Sequence, residues 1–264
     1  MNHIEIAHKN NLANLSQIHY LKHLCTKNAK VSNFKIHPKD EGKGTKILVI
    51  NGFMNENEED ISEWKESLKI IWRENPYYHL LWKSKTLSDF FLSKINPIEE
   101  KKITWLEGMR NAEETGEILG KILASYQKEI ILCGHSLGAR VIYFALKYLN
   151  EQNIKSTCIK EIHLLGGAVG SKTSDWRFIK NVTTAPIYNY YSMNDDVLKY
   201  AYKLGTALQS DPVGRNEIEI DNVININTTK RVGGHSDYKK NLALFYLENS
   251  NKKSNKKIKI DIEL

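Results

Sequence analysis

Glu129-Ile130-Ile131-Leu132-Cys133-Gly134-His135-Ser136-Leu137-Gly138 is the stretch whose reading decides the fold. Residues 129–133 form a short aliphatic run that ends at a glycine, which predicts a strand buried on both faces. Ala139 to Leu149 carries apolar residues at helical spacing, so Gly134-His135-Ser136-Leu137-Gly138 predicts a tight corner from strand into helix. Glycine at both ends lets the chain turn sharply and lets strand and helix approach closely. A serine at that corner is exposed on a strained backbone, at a helix N-terminus that favours negative charge. In the bland reading Ser136 only caps the helix. The strand–turn–helix context favours the other reading, a nucleophile elbow.

Outward from this corner, strands and helices alternate. Lys46–Ile50 reads as another buried strand, and Ile61, Trp64, Leu68 and Ile71 mark one face of a helix. Further strands are expected at 77–82, 159–165, 186–191 and within 218–226. Further helices are expected over most of 83–127 and at 141–149, 197–204 and 238–247. Residues 31–36 suit a first edge strand, and residues 1–30 one or two surface helices. Ile258, Ile260, Ile262 and Leu264 alternate with charged residues, as in a half-buried edge strand. The pattern predicts one α/β domain over 1–264, with a mostly parallel central sheet and helices on both faces. Within it, 83–127 reads as a helical insertion that either covers the site as a lid or packs structurally. Residues 249–264 form a Lys-rich C-terminal extension. Ligands of such sheets bind at the carboxyl ends of the strands.

A catalytic serine needs a base and an acid. Of nine histidines, His235 alone lies in a late loop, Val232-Gly233-Gly234-His235-Ser236-Asp237-Tyr238. There two glycines free the loop to present the ring, in the chain order serine, acid, histidine. His79 and His163 fall inside strands, and His135 reads as a shaper of the elbow. The acid is expected just after the strand at 186–191, where Asp195 and Asp196 stand together. Asp196 suits the cap of the following helix and Asp195 the histidine, and spacing alone leaves the pair open. For the oxyanion the N–H groups of Leu137 and of Phe53, in the loop Asn51-Gly52-Phe53-Met54, are the expected donors.

Composition narrows the classes. The 264 residues are 41% hydrophobic and 26% charged, which allows a large core with a wet surface. Three well-separated cysteines supply neither a disulfide framework nor paired metal ligands. No secretory signal is visible before Lys30 and no apolar run reaches membrane-spanning length, so a soluble, cytoplasmic protein is expected. Part of the net charge of +7 comes from Lys252, Lys253, Lys256, Lys257 and Lys259. These read as a solvated tail, or as a weak contact with an anionic membrane surface that would make the protein peripheral. There is no His-Glu-x-x-His, Cys-x-x-Cys or P-loop, and Gly166-Gly167-Ala168-Val169-Gly170 lacks the dinucleotide fingerprint. No metal, organic cofactor or nucleic acid is expected, and the sequence does not set an oligomeric state.

The segments Gly134–Tyr143, Leu164–Val169, Tyr191–Leu198, Gly233–Tyr238 and Ile50–Phe53 resemble the transmembrane and coiled-coil domain-containing family. Its eukaryotic members are regarded as lipases of the α/β-hydrolase fold, and it has bacterial relatives. The resemblance, over about 46–248, is to a soluble bacterial-type member. It implies Ser136 as nucleophile, His235 as base and Asp195 rather than Asp196 as acid. It also implies a lipid or small-molecule acyl ester as substrate. Eukaryotic members carry a membrane-type stretch between the second and third strands, whereas 83–127 is polar and amphipathic here. Lipase, esterase and thioesterase activities stay open at this stage. So does a reading from another class, a non-catalytic binding or scaffold protein that keeps the elbow for structure.

Overall fold

Ile47, Leu48, Val49 and Ile50 present no polar face, and in the structure all four are buried, alternately in two separate cores. The structure is a computed structural model that describes residues 34–52, 61–82, 97–206 and 211–262. The strands are β1 (Lys35–Pro38), β2 (Lys46–Ile50), β3 (Tyr77–Leu81), β4 (Ile130–His135), β5 (Ile159–Leu165), β6 (Ile187–Tyr191) and β7 (Val223–Asn227). They form one seven-stranded sheet in the order β1-β3-β2-β4-β5-β6-β7. Every pairing is parallel except that of β1 with β3. This is the α/β-hydrolase fold, with β4 at the centre.

The helices are α1 (Ser62–Ile71), α2 (Pro97–Ser125), α3 (Leu137–Glu151), the short α4 (Thr173–Trp176) and α5 (Ile179–Val182), α6 (Asp196–Thr206) and α7 (Asp237–Ile262). Leu48, Ile50, Leu132, Ile162 and Leu164 point into the core shared with α2 and α3. Ile47, Val49, Ile131, Cys133 and Tyr190 point into the core shared with α1 and α7. Burial on both faces explains why these strands read as continuous apolar runs rather than alternating ones.

Within α2, Trp105, Met109, Ala112, Leu119 and Leu123 are buried at helical spacing. Gly116 and Gly120 lie against α3. A Cβ on Gly116 would fall 2.6 Å from the Phe144 Cβ and the Val141 carbonyl, and one on Gly120 would fall 2.8 Å from the Ala145 carbonyl. The pair lets two helix backbones touch, so this part of 83–127 is built into the core. Residues 83–96 lie outside the described residues, as do 1–30.

Two expectations shift. The first edge strand, expected at 31–36, is β1 at Lys35–Pro38, and 31–33 are not described. Ile258, Ile260 and Ile262 belong to α7 rather than to a strand. A helix already running from Asp237 gains one hydrogen bond for each residue it adds, and the lysines here are good helix formers. A strand would have needed a sheet edge to pair with. Among the described residues, no helix is long and apolar enough to cross a membrane.

Candidate active site

Ser136 joins β4 to α3 with φ 56° and ψ −122°, a left-handed conformation that costs a non-glycine residue about 1–3 kcal/mol. Its surroundings hold it there. The Ser136 N–H donates to the Leu165 carbonyl (3.0 Å), and its own carbonyl accepts from Ala168 N (3.0 Å) and Ala139 N (3.1 Å). Gly134 and Gly138 are required by contact: a Cβ on Gly134 would fall 2.6 Å from the Gly138 carbonyl, and one on Gly138 would collide with the Ile50 carbonyl. The elbow is thus wedged between the ends of β2 and β5.

Asp195 and His235 meet at the carboxyl ends of β6 and β7. The His235 Nδ1 lies 2.7 Å from the Asp195 Oδ2, and both residues are buried. A carboxylate accepts there, so Nδ1 carries the proton and a neutral ring keeps its lone pair on Nε2. That Nε2 is buried and has no hydrogen-bond partner among the described residues. Ser136, itself buried, is therefore not bonded to it in this state.

The second oxygen of Asp195 caps a helix. Leu198 N donates to the Asp195 Oδ1 (3.0 Å), and Lys199 N to its carbonyl (3.1 Å). This corrects the division of labour expected from spacing: Asp196 is already the first residue of α6, and Asp195 is its cap. One carboxylate has two oxygens with separate lone pairs, so both tasks fit one side chain. Arg215 Nη1 also donates to the Asp195 carbonyl (2.7 Å).

Several residues around this pair gave no local sequence signal. Tyr238 is fully buried and donates its hydroxyl to the Gly214 carbonyl (3.2 Å). Burial first, then the neighbouring Asp195 carboxylate, pushes its phenol far above the usual range. Asp237 Oδ2 accepts from the N–H groups of Gly233 (3.2 Å) and Gly234 (3.0 Å), which pins the histidine loop. A hydrogen bond from Lys240 is the main reason that the Asp237 carboxyl lies below its ordinary value. Ser192 Oγ donates to the Val232 carbonyl (3.1 Å), stitching the acid loop to the histidine loop.

The loop after β2 is held equally firmly at its start. Trp64 Nε1 donates to the Asn51 Oδ1 (2.8 Å), which fixes the amide so that Nδ2 donates to His79 Nε2 (3.2 Å). Trp82 Nε1 donates to the Asn51 carbonyl (2.9 Å). Gly52 follows, and a Cβ there would fall 2.6 Å from the Ser136 Cβ. Phe53, the expected second oxyanion donor, lies outside the described residues. Leu137 opens α3, and a first-turn N–H has no acceptor within its own helix. Among the described residues, no group of three His, Cys, Asp or Glu side chains is placed to hold a metal.

A family described as "Protein of unknown function (DUF726)" matches residues 90–248. The chain is 27% identical over 137 residues to "Transmembrane and coiled-coil domain-containing protein STS1" of Oryza sativa subsp. japonica, covering 51% of this chain and 21% of that one. It is 29% identical over 155 residues to "Probable lipase MIL1" of Saccharomyces cerevisiae, covering 57% of this chain and 14% of that one. The matched stretch is thus less than a quarter of the length of these curated relatives. Among solved structures, an alpha/beta hydrolase domain-containing protein from mouse aligns over 86% of this chain and 97% of its own, at 13% identity and a TM-score of 0.45.

Proposed function

This chain belongs to the DUF726 family, and we propose that it is a serine hydrolase that cleaves carboxylic esters through an acyl-enzyme. The observation that carries this reading is the 2.7 Å bond between Asp195 and His235, formed beside a serine held in the left-handed region. Ser136 Oγ attacks the ester carbonyl carbon while His235 Nε2 takes its proton. The tetrahedral oxyanion rests on the Leu137 and Phe53 N–H groups. Collapse breaks the ester bond, and the departing alcohol recovers the proton from His235. Water, deprotonated by His235, then releases the acid and restores Ser136. Asp195 keeps the ring in its Nδ1–H form and stabilises the imidazolium in each half-reaction.

A lipid acyl ester is the proposed substrate, on the ground that a yeast relative is named a probable lipase. A small-molecule ester is the alternative within the same chemistry. A lid over the site drawn from 83–127 belongs to the same proposal, and the burial of Trp105, Ala112 and Leu119 in the core favours a packing role for that part of the segment. A weak contact with an anionic membrane surface through the lysines after Ser250 is part of the same proposal.

One observation favours a second reading, a non-catalytic hydrolase-fold scaffold: among the described residues His235 Nε2 has no partner, and Ser136 is buried. Catalytic hydrogen bonds often tighten only when substrate binds, so we prefer the enzyme. Fluorophosphonate labelling of the wild type beside S136A separates the two. Labelling that disappears in S136A supports the enzyme, with a loss of about 10⁶ in kcat. A folded wild type that resists the probe points to the scaffold. Short- and long-chain p-nitrophenyl esters, run on the same samples, decide between esterase and lipase.

A further inference from the structure

His135, the residue before the nucleophile, points away from solvent toward the histidine loop. Its Nε2 lies 2.8 Å from the His235 carbonyl oxygen. A carbonyl only accepts, so Nε2 carries the proton and donates. The two rings stand 4.7 Å apart at an interplanar angle of 40°. His135 is buried, and its ring also faces that of Tyr238 at 6.1 Å. Burial, helped by His235 and Lys239, holds its imidazole well below the ordinary value. The ring therefore stays neutral and adds no charge beside the base.

We infer that His135 is a positioning residue: its Nε2–H clamps the backbone of His235 while Asp195 clamps the ring. The inference rests on the serine-hydrolase reading above. A side chain tied only at Nδ1 can still swing with its loop, and His235 sits just after two glycines. Holding the carbonyl as well as Nδ1 fixes both ends of the residue, and so fixes where Nε2 points. Asp237 ties down the preceding Gly233 and Gly234 N–H groups, so the loop is held on both sides of the base. Because His135 is the chain neighbour of Ser136, the same clamp sets the position of the histidine relative to the serine. A misplacement of about 1 Å in such a pair costs on the order of 10²-fold in rate.

The variants are H135F, which keeps a ring without the donor, H135Q, whose amide nitrogen reaches where Nε2 was, and H135N, whose shorter amide does not. Each is read by its rate of fluorophosphonate labelling at Ser136, by kcat and KM on p-nitrophenyl butyrate, and by amide hydrogen exchange across 232–237. Folding is checked by thermal melting. The expected result is a roughly tenfold to hundredfold loss of labelling rate and kcat in H135F and H135N, with KM little changed, and recovery in H135Q. Exchange in the loop accelerates in H135F and H135N and not in H135Q. Phe filling the site as well as Gln does, with wild-type labelling and exchange, overturns the inference and leaves a packing role. Should H135F fail to fold, the comparison of H135Q with H135N decides alone, and equality between them overturns it. A wild type that never labels defeats the hydrolase reading instead, and the exchange data still decide whether the clamp exists.

Discussion

Asp195 accepts the Leu198 N–H at 3.0 Å through one carboxylate oxygen while the other holds His235 at 2.7 Å. The partner of His235 and the cap of α6 are thus one side chain, and substitutions can separate its two contacts. D195N keeps an oxygen for the cap but presents an amide to the imidazole. By analogy with protease triads kcat should fall about 10⁴-fold, with the melting temperature nearly unchanged. D195A removes the cap as well, and should add about 1 kcal/mol of destabilisation by denaturant titration. D196N should leave both near wild type. Equal losses of kcat in D195N and D196N would sink this assignment.

Gly52 and Gly138 fail differently when a methyl group is added. In G138A the new carbon meets the Ile50 carbonyl, part of a central strand that cannot yield. Expression or melting temperature should therefore suffer first. In G52A it meets the side chain of Ser136, the proposed nucleophile. Labelling of Ser136 should fall at least tenfold in protein that still melts cooperatively, within the cost range of a misplaced reacting group.

Gly116 makes the seam between α2 and α3 testable. A valine there must displace the Phe144 Cβ or the Val141 carbonyl, so G116V should cost about 1–3 kcal/mol in chemical denaturation. Full stability in G116V would mean that the helices do not approach as described.

Stability should decline on the acid side of pH 6.5. Burial lowers the imidazoles of His135 and His163 below that ordinary value, although Glu161 partly opposes it at His163. Between the folded and unfolded titrations the unfolded chain binds more protons, so stability falls as pH falls below 6.5 and is level above it. Each group contributes a slope of up to about 1.4 kcal/mol per pH unit. Denaturant midpoints between pH 5 and 8 measure this, and H163Q should flatten the acid limb. An acid limb of unchanged slope in H163Q counts against a buried neutral His163.

Elements with a strong local pattern were legible in the chain. The aliphatic runs at 46–50 and 130–133 become strands because their burial on both faces leaves no other use for them. The cap of α6 lies one residue before its expected place because two adjacent aspartates offer the same chemistry, and only the backbone chooses between them. The alternation Ile258, Ile260, Ile262 misled because a two-residue period means a strand only where an edge awaits it. Tyr238 and Arg215 gave no warning, and His135 read only as a shaper of the elbow: each bonds a backbone carbonyl far away in the chain. Such bonds leave no periodicity behind. The indoles of Trp64 and Trp82, on a helix face and at a strand end, likewise leave no pattern that marks their shared partner Asn51.

That last arrangement gives the molecule an optical reporter. Indole emission responds to what the N–H is bonded to, and two indoles share Asn51, one residue from the glycine that touches Ser136. Any adduct on Ser136 that shifts Gly52 must drag Asn51 with it and change the light that Trp64 and Trp82 emit. Spectra of W64F and W82F before and after treatment with a fluorophosphonate would assign the signal, so an adduct on this serine can be followed without a coloured substrate.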